Sequence, residues 1–237
     1  PIPKGGSSCL RIAKCSDFRG ISISSTLAKL FESCLLELFS VYFDTDDCQF
    51  GFKKGMGCST AIFAARRVIE NITCSGDTAF IGTIDVAKAF PRVNRDALLI
   101  ALMKRSLPVN FIGLIDNWLK RSFSRVKWDN IFSKIYTTKT GVHQGSVLAP
   151  VLFSIAINDT IRACKKSKLG TIIVYADDIL IISRTRYALQ RLFSTIECCL
   201  EDINLQVNED KCNCIRVGRR FKEFCVPIKS LTGVDIA

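Results

Sequence analysis

A single histidine, His143, stands in 237 residues. With one imidazole available, a mixed Cys/His zinc site has almost nothing to draw on. Twelve cysteines are present, but their spacing argues against a thiolate cluster or a disulfide framework: Cys198 and Cys199 are adjacent, Cys212 and Cys214 are separated by one residue, and the rest are scattered. They are expected to be reduced thiols that act as small core hydrophobes at apolar positions such as Cys34, which places the protein inside the cell. Uninterrupted apolar runs of membrane-spanning length are missing too, as are internal repeats and low-complexity tracts. The start, "PIPKGGSSCL", has neither an initiator methionine nor the basic-then-apolar order of a signal peptide. It reads as a segment of a longer polyprotein.

What the chain does have is apolar mass and positive charge. Hydrophobic residues make up 48% of it, enough at this length to bury one domain or two closely joined ones. Lys and Arg number 33 against 22 Asp and Glu, a net charge of +11. That balance points to a polyanionic partner, nucleic acid or an anionic membrane surface.

Periodicity places the elements. In "SSTLAKLFESCLLELF", Leu27, Leu30, Phe31, Cys34, Leu35 and Leu38 share one helical stripe, with Ser24 or Ser25 as the cap. A second helix starts at about Ser59, the short strand "TAFIGTID" ends at Asp85, and a helix capped by Asn94 is closed by Pro108. "RVKWDNIFSKIYTT" has the pattern of a hairpin turning at Asp129-Asn130. "PVLFSIAINDTIRACKK" has that of one helix with Pro150 in its first turn. The apolar runs "GTIIVYA" and "ILIIS" are separated only by Asp177 and Asp178. A helix over roughly 186–201 and a last strand near "NCIRVG" complete the order. Helices and strands mix without strict alternation, so the expected class is α+β rather than a doubly wound parallel sheet.

The acidic pair is the anomaly. Two like charges sit inside a β-branched run that ought to be buried, and buried charges persist only when paired or bound to metal. Two apolar strands joined by Asp-Asp make a tight hairpin that points one or both carboxylates off the sheet edge. A hard ion such as Mg²⁺ takes carboxylate oxygens together with substrate phosphates, and two such ions need at least one more shared carboxylate. Asp85 is the candidate, because it also ends an apolar strand that could lie beside the hairpin. A solvated turn would account for a lone "ADD", since Asp favours turns.

The surrounding motifs resemble those of reverse transcriptases, most of all the non-LTR (LINE-type) retrotransposon group. "YADD" between apolar strands resembles their C motif, "DVAKAF" their A motif, and "GVHQGSVLAPVLF" the B motif usually written GVPQGSxLSPxLF. "FRGISISSTLAKLFE" is similar to the RPISL…KxFE segment, "QFGFKKGMGCSTAI" to QxGFRxGxST, and "NLQVNEDKC" to the GLxLNxxKT segment of motif D. Each is weak alone. Together they follow the family's order from "IPK" at 2–4 to about residue 217.

The resemblance implies a right-hand polymerase fold of palm and fingers, with a small antiparallel palm sheet packed on helices and the thumb largely absent. Fingers would run over about 1–78 and 100–145, and palm over about 79–99 and 146–225. The implied activity is RNA-directed DNA synthesis, in which a primer 3′-hydroxyl attacks the α-phosphate of a dNTP and pyrophosphate leaves. Two Mg²⁺ ions, with Mn²⁺ as the alternative, would be bridged by Asp85 and Asp177, with Asp178 supporting the primer-side ion and the Val86 carbonyl as a backbone ligand. Phe90 matches the aromatic that excludes a 2′-hydroxyl. Gln144 and Gly145 match residues facing the nucleotide and template, and Lys4 and Arg19 the pair that clamps the triphosphate. Lys211 aligns with a lysine that protonates pyrophosphate.

The basic clusters Arg66-Arg67, Lys120-Arg121, Lys165-Lys166-Lys168 and Arg219-Arg220-Lys222 fit a template–primer track. Trp118 and Trp128 are read as core. His143, Pro91, Gly20 and Lys53 depart from the usual motif residues, but none is a metal ligand. Implied partners are an RNA template, a DNA primer and dNTPs, in a nuclear or cytoplasmic ribonucleoprotein with no membrane; oligomeric state stays open. Two other readings remain: a catalytically inactive nucleic-acid-binding remnant, and an RNA-dependent RNA polymerase, although that group usually has Gly-Asp-Asp at the hairpin and a small residue in place of Phe90.

Overall fold

The longest apolar strands meet in one four-stranded antiparallel sheet that is covered on both faces. A computed structural model describes the backbone of residues 2–3 and 18–236, and the side chains of residue 18 and of residues 20–236. Strands β1 (Ile2–Pro3) and β2 (Phe18–Arg19) pair at the start. Helices α1 (Thr26–Leu38) and α2 (Cys58–Cys74) precede β3 (Thr78–Asp85), which is followed by a single helical turn, α3 (Ala89–Arg92), and by α4 (Arg95–Met103) and α5 (Val109–Lys120). Four two-residue strands follow as nested pairs, β4 (Phe123–Ser124) with β7 (Tyr136–Thr137) around β5 (Lys127–Trp128) with β6 (Ile131–Phe132). Then come α6 (Ala149–Ala156), α7 (Asn158–Ser167), β8 (Thr171–Tyr175), β9 (Asp178–Ser183), α8 (Arg186–Glu201) and β10 (Asn213–Gly218). The pair β11 (Ile228–Lys229) and β12 (Asp235–Ile236) closes the chain. This is the α+β class expected.

The sheet order is β10-β3-β9-β8. On one face, Ala79, Ile81, Ile173 and Ile182 pack against Ala61 and Ile72 of α2. On the other, Ile84, Ile172, Val174, Ile179 and Ile181 join the larger core with Leu189, Phe193 and Ile196 of α8 and Phe153 of α6. Strands buried on both faces lose the polar half of their alternation. That is why "TIIVY" and "ILIIS" read as continuous apolar runs.

Capping follows the sequence closely. Ser25 Oγ accepts from Ala28 N, and Asn94 Oδ1 accepts from Asp96 N and Ala97 N at 2.9 and 3.2 Å. Thr185 does the same for Ala188 N at the start of α8. Each cap satisfies helix-start donors that have no partner within the helix.

Five expectations are corrected. The stripe assigned to α1 is mostly exposed: Leu27, Leu30, Phe31, Cys34 and Leu38 face outward, and of the six only Leu35 is buried. The inward face is rotated so that Glu32 is buried with Leu35, and Leu36 packs on the core beside them. Cys34 is therefore no core thiol, and Cys58, Cys74 and Cys198 are exposed as well, whereas Cys164 and Cys212 are buried; the ten described cysteines are all free. The predicted single helix from Pro150 is two, α6 and α7, meeting at Ile157, where the buried Asn158 turns its side-chain oxygen to Asp46 N. The acidic hairpin turns at Ala176-Asp177 rather than at Asp177-Asp178, because Asp178 is already paired with Tyr175. Finally, Trp128 is 49% exposed on β5 rather than in the core.

Candidate active site

The sheet end brings the acidic residues together. Asp85 is the last residue of β3 and pairs with Asp178, the first of β9. Directly opposed residues of an antiparallel pair project to the same face. Here it is the face toward α2, the one that also takes Ile81 and Ile182. Asp177 occupies the turn, preceded by Ala176 at φ +59°. A left-handed alanine costs energy, so the turn needs support from outside.

Gln49 supplies it. Its carboxamide is fully buried, and Oε1 accepts from Gly51 N at 3.0 Å and from Ala176 N at 3.3 Å. On either side, Val174 N donates to Cys48 O and Phe50 N to Val174 O, both at 2.8 Å, so residues 48–50 run along β8 as an added rung. At Gly51 a Cβ would collide with Ala176 N. Gln49 Nε2 has no partner among the described residues.

The carboxylates are unequally compensated. Asp85 Oδ2 accepts from Asn208 Nδ2 at 3.0 Å and lies 3.3 Å from Lys211 Nζ, while Asp85 O accepts from Asn208 N at 2.8 Å. Asp178 is exposed, yet its carboxyl is held above the ordinary carboxylate range, by desolvation first and then by the charges of Asp177 and Asp85. Asp85, Asp178 and Lys211 line one cavity of about 500 Å³, walled by Cys58, Ile62 and Tyr175. Asp177 is not on that wall. Among the described residues no three His, Cys, Asp or Glu side chains are already gathered to hold an ion. The donor set nevertheless suits a hard divalent cation, since it is all carboxylate oxygen and leaves Asp178 repelled by two neighbours.

The remaining candidates fall at different distances from this centre. Val86 follows Asp85, is buried, and bridges to Val207. Phe90 is buried on α3, stacked on Phe153 at 5.0 Å between centroids and edge-on to Phe52 at 6.2 Å. Gln144 and Gly145 lie in the loop before α6, where Gly145 has φ +116° and a Cβ would strike the Ser22 carbonyl oxygen. The close approach that requires glycine there is thus to the chain's own backbone. Lys4 lies outside the described residues, as does the side chain of Arg19, whose backbone pairs with Ile2.

Several cations of the expected nucleic-acid track are paired internally. Arg66 and Arg67 both reach Glu70, Lys120 reaches Asp116, and Lys165 reaches Asp46. Where the sequence departs from its motifs, the replacements are accommodated. Lys53 Nζ donates to Thr45 O at 2.8 Å, and His143 makes contacts with the hydroxyls of Ser22 and Ser122. Burial and then the nearby Arg95 hold the His143 imidazole below its usual range.

Sequence alone assigns no role to Gln49, Gly51, Glu32 and Asn208. All four sit in motif-like segments, at the Q and G of "QFGF", the last E of "KLFE" and the second N of "NLQVNEDKC"; that position was the available signal.

Residues 2–225 match the family described as reverse transcriptase (RNA-dependent DNA polymerase). The Retrovirus-related Pol polyprotein from type-2 retrotransposable element R2DM of Drosophila melanogaster is 25% identical over 221 residues, covering 90% of this chain and 21% of that protein. The corresponding type-1 R2 polyprotein of Nasonia vitripennis is 26% identical, covering 90% and 22%. A probable RNA-directed DNA polymerase from the Drosophila melanogaster transposon X-element is 28% identical over 182 residues, covering 72% and 19%. The chain thus spans about a fifth of the length of these curated relatives. Among solved structures, apo telomerase from Candida tropicalis, truncated from its C-terminal domain, superposes with a TM-score of 0.60 at 14% identity, covering 81% of this chain and 41% of that one. No described helix is long and apolar enough to cross a membrane.

Proposed function

Because the chain belongs to the reverse transcriptase (RNA-dependent DNA polymerase) family, we propose that it is the polymerase portion of a non-LTR retrotransposon polyprotein. It extends a primer 3′-hydroxyl with dNTPs on an RNA template, within a ribonucleoprotein. The palm comprises about 79–99 and 146–225 and the fingers about 1–78 and 100–145. The single observation that carries this reading is the register of the sheet, which sets Asp85 opposite Asp178 with Asp177 in the adjoining turn.

The family generally uses divalent metal ions. Asp85, Asp177, Asp178 and the Val86 carbonyl would hold two Mg²⁺ here. Such ions, when bound, lower the pKa of the primer hydroxyl and neutralise charge on the departing phosphates. With an ion held there, Asp85 would give up its ammonium partner, and Lys211, still adjacent, would give its proton to pyrophosphate. Phe90 is held by two aromatic neighbours, so it offers a ribose 2′-hydroxyl a fixed wall rather than a rotating one. Gln144 and Gly145 present their loop to the nucleotide and template, and Lys4 and Arg19 take the triphosphate, with Arg offering a bidentate fork.

Primer extension on an RNA template tests the reading. The purified chain should incorporate dNTPs in a Mg²⁺-dependent manner, and an Asp177→Asn chain should not. Failure of the parent chain under conditions where it is folded would favour the inactive remnant.

A further inference from the structure

Glu32 closes the "KLFE" segment, and its position in the fold is unusual for a carboxylate. It is 1% exposed on a helix whose apolar side chains largely face solvent. Its Oε2 accepts three hydrogen bonds, from Ser146 Oγ at 2.6 Å, Val147 N at 2.6 Å and Leu148 N at 2.9 Å. The partners are N–H and O–H donors rather than a cation. Burying a charge is costly unless it is well bonded, and bonds to a charged acceptor are the strong ones. A carboxylate kept there does what an apolar residue at the same place could not: it fixes the backbone that precedes α6.

That backbone is the loop carrying Gln144 and Gly145. At its near end, Gly141 N donates to Val93 O and Val142 N to Phe90 O, each at 2.9 Å, which docks the loop on the turn that bears Phe90. Arg95 Nε adds a bond to Gly141 O at 3.0 Å. In the middle, Ser22 N donates to Gln144 O at 2.7 Å, and Gly145 presses on the Ser22 carbonyl. At the far end the donors of residues 146–148 turn to Glu32. Glu32 also lines a cavity of about 490 Å³ beside the loop, with Ser22, His143, Ser146 and Trp118. The loop is therefore clamped between the Phe90 turn and α1, and Glu32 is the only charged side chain among the bonds of residues 144–148 just named.

We propose that Glu32 is a positioning residue of the nucleotide site, holding residues 144–148 in the conformation that receives the incoming dNTP. This rests on the polymerase reading, because it is that reading which puts the nucleotide against Gln144 and Gly145. Without the carboxylate, Val147 N, Leu148 N and Ser146 Oγ lose their common acceptor, and the loop relaxes into the adjoining cavity. The effect falls on dNTP affinity rather than on the chemical step, since Glu32 bonds the far end of the loop and does not line the cavity of Asp85 and Asp178.

Steady-state extension of a primed RNA template over a dNTP titration, with backbone amide exchange measured on the same proteins, tests this. Glu32→Ala should raise the dNTP KM about tenfold with kcat little changed, and should speed exchange at Val147 and Leu148. Glu32→Gln should recover most of the loss, because the carboxamide oxygen still accepts from both amides. Ser146→Ala, which removes one bond of three, should move KM the same way by a smaller factor and serves if the alanine variant fails to fold. A Glu32→Ala chain with unchanged dNTP KM and a reduced active fraction makes Glu32 a stability residue only and overturns the inference. So does unchanged exchange at Val147 and Leu148. A parent chain that extends no primer removes the polymerase reading and this inference with it, so the two failures are told apart by the parent's own activity.

Discussion

Asp85 and Asp178 face each other at the same end of adjacent antiparallel strands. Opposed like charges destabilise a sheet, and Asp178 also has Asp177 beside it. Asp178→Asn should accordingly leave the fold as stable as the parent or slightly more so. The same change should reduce primer extension by about 10²–10³-fold, the equivalent of several kcal/mol of lost ion-mediated stabilisation. Thermal unfolding and extension rates measured together check both signs. A residue kept for stability would give the reverse pattern, a lower melting temperature with activity intact.

The Gln49 carboxamide joins two separate segments through Gly51 N and Ala176 N. Gln49→Leu keeps the volume but leaves both amides without that acceptor, at a cost of about 1–3 kcal/mol. Gly51→Ala forces a Cβ against Ala176 N and must displace the turn that carries Asp177. Both variants should lose activity through misplacement of Asp177. For Gly51→Ala the loss should persist below the melting transition, as extension assays at several temperatures would reveal. Full activity of Gly51→Ala at low temperature would mean the turn does not depend on this packing.

Where element type follows from local pattern, the sequence was legible: the helix over 186–201, the strand at "NCIRVG" and the Asn94 cap all stand where periodicity and capping put them. Asp85 and the hairpin could be paired in advance because carboxylates in buried apolar strands call for a cation, and two shared ions call for a further carboxylate at the end of another such strand. Burial faces were harder. On α1 the hydrophobic stripe pointed to one side and the buried face is another: it carries Glu32, which accepts three hydrogen bonds from residues 146–148, and no local pattern reveals a tertiary acceptor. Helix α5 is not among the expected elements, although Val109–Lys120 has a clear apolar face, with Phe111, Ile112, Ile115 and Leu119 buried. Pro108 ends the preceding helical pattern and is also the N-cap of the next helix. The turn position missed by one residue because Ala at positive φ runs against intrinsic preference, and only Gln49, 127 residues away in sequence from Ala176, makes it tolerable.

On the polymerase reading Phe90 would have two duties, which substitution can separate. Its ring is packed between Phe153 and Phe52, so Phe90→Ala should destabilise the protein by about 3–5 kcal/mol if the site does not collapse. As the wall against a 2′-hydroxyl, its loss should also lower the preference for dNTP over rNTP about tenfold or more, within the range that pocket size usually gives. Phe90→Val should retain more of the stability and still show the altered preference. Incorporation ratios at saturating template are the measurement. A parent chain that already prefers ribonucleotides would replace the DNA polymerase reading with RNA synthesis.

Glu197 gives the fold a pH dependence opposite to that of a paired carboxylate. It is buried on α8 and accepts one bond, from Leu231 N at 3.1 Å. Desolvation pushes its pKa up from 4.5 to about 7, with Glu209 and Glu201 adding repulsion and the Leu231 amide opposing. Between these values the folded chain holds a proton that the unfolded chain has released, so unfolding is favoured as pH rises through the window. The contribution of this group is therefore intact below about pH 4.5 and is lost progressively up to about pH 7. The loss should be of order 1–3 kcal/mol, since each pKa unit is worth about 1.4 kcal/mol. Glu197→Gln mimics the protonated form, so its advantage over the parent should be small at pH 5 and largest at pH 8 in urea unfolding. Equal stability of the two proteins at pH 8 would mean that the carboxylate is solvated in the folded state, and that the segment carrying Leu231 does not seal it.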